Sequence, residues 1–154
     1  MRSTKESYNV PDGTHDREAN RVLLRELATT LGAESWVQGV SVFPARTPES
    51  IIVELLDEHY PTERIAEAYI EVQAYTNGDF HVTYVEDHHG EEWVCRWDRH
   101  DSPEYGRDHF HAPPAARHED GSQKAYPDSL FDVLAQIVSP WVFDRIGVVW
   151  DEQG

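Results

Sequence analysis

The sequence predicts an α+β domain in which an antiparallel β-meander packs against an N-terminal and a C-terminal helix, and three observations predict it. Apolar residues recur with a period near two in successive runs through the middle of the chain, from Trp36 to Asp98. Between two of those runs lies Asn77-Gly78, whose residues both tolerate the positive φ that a tight hairpin needs. Helical spacing, by contrast, is confined to the two ends, at Leu23, Leu24, Leu27 and Leu31 and again at Leu130, Val133, Leu134, Ile137 and Val138. A short-period middle flanked by helical ends is the pattern of helices segregated to one face of an antiparallel sheet.

Taken in order, residues 1–13 are polar and read as a flexible arm, and 14–154 as one α+β domain of ordinary size for its length. Thr14 or Asp16 is positioned to cap the first helix, and Gly32 to end it. Trp36 to Phe43 reads as a strand, Pro44, Thr47 and Pro48 as a connection, and Ser50 to Asp57 as a second strand with Ile51, Val53 and Leu55 on one face. A two-residue turn at Asn77-Gly78 pairs Tyr75 with Phe80, Ala74 with His81 and Val72 with Thr83, which places Ile70, Val72, Ala74, His81, Thr83 and Val85 together. The next strand, Glu91 to Asp98, follows a turn at His89-Gly90 that pairs Arg96 with Thr83 and Asp98 with His81. Residues His100 to Tyr126 show no usable period and read as a long loop, which in a small domain is more often functional than idle. Pro127-Asp128-Ser129 opens the last helical region, with Ser139-Pro140 marking a break and restart before Trp141, Val142, Phe143 and Ile146.

The charge is extreme, with 29 acidic against 13 basic residues and a net −16, while the apolar content is too high for disorder. Only Lys5 and Lys124 are lysine, and the acids are scattered rather than blocked. Such a surface fits a halophilic cytoplasm, where molar salt shortens the Debye length to about 3 Å and screens self-repulsion. That same screening means the negative total does not exclude RNA as a partner. The single Cys95 excludes an internal disulfide. No apolar stretch reads as a membrane span of about 20 residues, and Met1 to Asp16 has no apolar signal core, so the expectation is a cytoplasmic protein with no membrane partner.

Seven of the nine histidines fall between His81 and His118. Among them the run Arg96-Trp97-Asp98-Arg99-His100 is followed by His109-Phe110-His111, and strand alternation puts Arg96, Asp98 and His100 on one face. A guanidinium can grip a phosphate, an imidazole can move a proton near neutrality, and a carboxylate can orient that imidazole. Arg96, Asp98, His100, His109 and His111 are therefore the candidate catalytic residues of a ribonuclease that needs no cofactor. The same residue types allow a second chemistry, in which His109 and His111, with His100 or Asp98, ligate a divalent metal. A third account is structural, with Arg96 and Asp98 as a cross-strand ion pair and the histidines as surface residues.

The run Glu92-Trp93-Val94-Cys95-Arg96-Trp97-Asp98, then His100, then His109-Phe110-His111, then Leu130-Phe131-Asp132-Val133-Leu134-Ala135-Gln136-Ile137 resembles the TumE-type toxin components of prokaryotic toxin–antitoxin systems, over about residues 66–138. The resemblance implies an intracellular toxin, an antitoxin protein as partner and RNA as target. The rival expectation is a non-catalytic partner-binding protein. Independently, the apolar content from Leu130 to Trp150 exceeds what one helical stripe can bury on a small sheet, which predicts a homodimer centred on Trp141, Phe143 or Trp150.

Overall fold

The computed structural model describes residues 17–153; the predicted arm at 1–13 and the capping candidates Thr14 and Asp16 lie outside them. Helix α1 (Arg21–Gly32) starts later than those candidates would allow, because Asn20 caps it, its Oδ1 accepting from the Leu23 N–H at 3.1 Å. Seven strands then follow in sequence order, all antiparallel: β1 (Val37–Phe43), β2 (Ser50–Leu55), β3 (Glu67–Ala74), β4 (Phe80–His88), β5 (Glu91–Arg99), β6 (Asp108–His111) and β7 (Gly121–Gln123). The chain closes with α2 (Leu130–Val133), a π segment (Leu134–Val138) and α3 (Ser139–Gln153). The architecture is α+β, with a seven-stranded antiparallel sheet and helices at both ends.

One face of the sheet carries the main core. Leu24, Leu27 and Leu31 of α1, with Val133, Val138, Val142 and Val149 of the C-terminal helical region, cover Ile51, Val53, Ile70, Val72, Val82, Tyr84, Cys95 and Trp97. A smaller cluster of Ile52, Tyr69, Val85, Val94 and Ala116 lies on the opposite face. There the chain beyond β6 folds back, the Val94 N–H donating to the Pro114 carbonyl at 2.8 Å.

Two turns decide which residues share that second face. His89 and Gly90 both take positive φ, 55° and 111°, as a type I′ turn requires, and Arg96 lies opposite Thr83 and Asp98 opposite His81, as read from the sequence. At Asn77-Gly78 the register differs by one residue: Tyr75 faces Asp79, and Ala74 pairs with Phe80 rather than His81. The loop holds an extra residue because the Asn77 side chain accepts from the Asp79 N–H at 2.9 Å and Gly78, at φ 92°, absorbs the reversal. A one-residue slip moves every side chain of a strand to the other face. Ile70, Val72 and Ala74 therefore join Phe80, Val82 and Tyr84 in the main core, while His81, Thr83 and Val85 go to the opposite side.

Three further readings are corrected. The supposed loop from His100 to Tyr126 contains β6 and β7, too short and too polar to show a period. The break at Ser139-Pro140 is absent: Ser139 is helical and its N–H reaches back to the Leu134 carbonyl. Because Pro140 brings no N–H of its own, a π turn passes it without interrupting the helix. Finally, Leu130–Glu152 is a continuous 23-residue helical span, long and apolar enough to cross a membrane by length and composition, against the sequence reading. Here it is tied to the sheet instead. Arg145 donates to both Glu86 oxygens at 2.8 Å, and its guanidinium lies 3.7 Å from the centre of the Trp93 ring.

Candidate functional site

Two adjacent cross-strand rows on the second face build the site. One runs Glu71, Thr83, Arg96, His111; the next runs Gln73, His81, Asp98, His109. Residues two apart on a strand point the same way, so both rows project together, and the β6 strand that sequence periodicity missed is what delivers His109 and His111.

Asp98 is the hub. Its side chain has no solvent exposure, and four groups meet its two oxygens. His81 Nδ1 is 2.7 Å from Oδ1, and Arg96 Nε lies 3.0 Å from Oδ1 and 2.9 Å from Oδ2. His111 Nε2 and His109 Nε2 stand 3.3 and 3.6 Å from Oδ2. Burial on its own would raise the Asp98 carboxyl, but the imidazoles of His109, His111 and His81 against it, with the charge of Arg96, outweigh it and hold the group well below the usual carboxylate range.

His81 is complete where it stands. Its Nδ1–H donates to the Asp98 carboxylate, and its Nε2 is free to accept from Arg17, 3.3 Å away. Burial lowers its pKa more than Asp98 raises it, consistent with a neutral ring carrying that single proton. Arg17 also pairs with Asp79 at 2.8 Å, and Asp79 with Arg107 at 2.7 Å, so charged groups fence this end of the site.

His100 stands at the solvent side, half-buried, with its Nε2 3.2 Å from that of His109. Burial lowers its pKa too, a bond to the Asp101 carbonyl opposing the shift. His109 and His111 are 1% and 3% exposed. Tyr105 lies with its ring centre 6.0 Å from both, and it packs so tightly on Gly121 that a Cβ there would come within 2.6 Å of the ring. The Tyr126 hydroxyl donates to the His109 carbonyl at 2.6 Å and anchors β6 from the helical side.

The five residues singled out from the sequence thus lie in one cluster: Arg96 and the three histidines reach Asp98 either directly or, for His100, through His109. Arg96 is held by Nε alone, and among the described residues no acceptor meets its two terminal amino groups. His81 was not among the residues singled out, although the register set by His89-Gly90 already pairs it with Asp98. Arg17 and Tyr105 left no signal, since their places come from long-range packing.

A family model described as Toxin TumE matches residues 27–142, most of the chain, and the chain belongs to that family. No curated protein and no solved structure matches it.

Proposed function

We propose that this member of the TumE toxin family is the toxin of a toxin–antitoxin pair and acts on RNA through Arg96 and the histidines around Asp98. The observation that carries the reading is the posture of Arg96. Asp98 holds its Nε, which fixes the plane of the guanidinium, and leaves the two terminal amino groups for a partner outside, with 15% of the side chain exposed. A fixed guanidinium edge is matched to a phosphate oxygen pair. On the same face His100, with its lowered pKa, can take the proton of a ribose 2′-hydroxyl as that oxygen bonds to the held phosphorus. The phosphorus–5′-oxygen bond breaks to leave a 2′,3′-cyclic phosphate, and the departing 5′-oxygen takes a proton from water. His109 and His111 are too buried to touch a substrate in this state; they position His100 and Asp98. An antitoxin protein and action inside the cell belong to the same reading.

The test is direct. Total RNA incubated with purified protein is expected to be cleaved or modified, with the rate reduced about a hundredfold or more in Arg96→Ala and in His100→Ala. RNA left intact by the wild-type protein across a range of salt concentrations overturns the proposal.

A second reading, partner binding without catalysis, has its own support. Phe143, Val148 and Trp150 of α3 are 46%, 47% and 45% exposed. Trp141, the other residue of that expectation, is half-buried, with its ring packed on Tyr84, Trp93 and Trp97. We read Phe143 and Trp150 as the remaining centre of a homodimer contact.

A further inference from the structure

We propose that Asp98, His109 and His111 bind one divalent transition-metal ion of the zinc type, with His100 at the open side of the site. The inference stands apart from RNA as the target, since it concerns only what these side chains can hold.

Hydrogen-bond direction carries the argument. A carbonyl oxygen can only accept, so a ring nitrogen bonded to one must carry the proton. His111 Nδ1 faces the Arg117 carbonyl at 3.0 Å, His109 Nδ1 the Gly106 carbonyl at 3.3 Å, and His100 Nδ1 the Asp101 carbonyl at 2.9 Å. In their neutral forms these rings therefore present Nε2 lone pairs inward. Those of His109 and His111 lie 3.6 and 3.3 Å from Asp98 Oδ2, itself a lone-pair donor, and those of His100 and His109 face each other at 3.2 Å. Arg96 supplies a positive charge to Asp98 but, among the described residues, makes no hydrogen bond to His109 or His111, and a cation between those nitrogens and Oδ2 would turn their close approach into ligation.

The arrangement is that of a metal site with its outer shell in place. Ligating histidines characteristically donate their second N–H to a carbonyl or carboxylate, which sets the tautomer and aims the ring. The ligand atoms of Asp98, His109 and His111 lie within 4.8 Å of one another, and the contacts of 3.3 and 3.6 Å to Oδ2 match the edges of a tetrahedron whose metal–ligand bonds are about 2.0–2.1 Å. Two nitrogens and one carboxylate oxygen, with one position left open, is a donor set suited to zinc and its neighbours. His81 and Asp98 also form a triad with His100, but both His81 nitrogens are already engaged, so His81 orients the carboxylate and is not a ligand. Arg96 is the opposing feature, a fixed cation 2.9 Å from Oδ2 that restrains affinity. The rival occupant is an additional proton shared between the rings and Asp98, and the experiment separates the two.

The full chain, stripped with EDTA in high-salt buffer, is titrated with CoCl2 and then with ZnCl2. The expected result is saturation at one equivalent with the visible d–d bands of low-coordinate cobalt, bleached by zinc. His109→Gln and His111→Gln should weaken binding by about a hundredfold or more, while His88→Gln and His89→Gln on the exposed hairpin leave it unchanged. Cobalt held no more tightly by wild type than by the His109→Gln/His111→Gln double variant overturns the proposal. If circular dichroism shows those variants unfolded, the wild-type titration decides: a single saturable cobalt site supports it, and no saturable site overturns it. Zinc binding that survives in Arg96→Ala while RNA activity disappears shows that the two readings stand or fall separately.

Discussion

His81 Nδ1 meets Asp98 Oδ1 at 2.7 Å across the β4–β5 ladder, and both side chains are wholly excluded from solvent. The pair exists because the His89-Gly90 turn sets the register that puts these residues opposite each other. Around it the site is assembled, with Asp98 as the carboxylate that Arg96 and His81 bond directly.

Asp98→Asn is therefore expected to be severe although it preserves shape. It leaves the Arg96 guanidinium without its counter-charge, and breaking a buried pair from one side costs about 3–5 kcal/mol. Denaturant unfolding in high-salt buffer measures it; a loss below about 1 kcal/mol would show that Arg96 finds compensation elsewhere.

Acid stability depends on a second buried carboxylate, Glu86. Burial alone would raise its pKa, but bonds from Arg145, Tyr84 and His88 reverse this and leave it lowered from 4.5. A depressed folded pKa means that the contribution is fully present above the unfolded value near 4.5 and is lost as pH falls through the folded value. Stability measured from pH 6 downward should thus decline less steeply in Glu86→Gln, which starts lower at neutrality, than in wild type. Parallel curves would refute this role.

Salt should stabilise the fold. Twenty-nine carboxylates against 13 basic groups repel one another when unscreened, so the melting temperature should climb as KCl rises from dilute buffer toward molar concentration. An unchanged midpoint would remove the halophilic reading of the composition.

Phe143 and Trp150 carry the prediction on assembly. Light scattering in molar KCl is expected to give a dimer mass, shifting to monomer in Phe143→Ser/Trp150→Ser with the folded circular-dichroism spectrum retained, since both rings are nearly half exposed. A monomer mass for wild type across the working concentration range would leave these rings as surface features only.

The sequence by itself determined the features that depend on near neighbours. The β-rich middle and helical ends follow from period, the β4–β5 register from two turn residues that accept positive φ, and the grouping of Arg96 with Asp98 from strand alternation. Its limit appeared at Asn77-Gly78, where one side-chain bond from Asn77 lengthens the loop and exchanges the faces of β4 relative to β3. Tertiary structure alone decided the rest. β6 and β7 are strands because β5 offers an open edge to pair with, not because their few polar residues prefer to be extended. The direction in which His109 and His111 aim their nitrogens is set by carbonyls of Gly106 and Arg117, groups every residue possesses and no residue type announces. Whether a histidine is a surface residue or part of a buried constellation depends on what folds over it, and that information is carried by contacts distant along the chain.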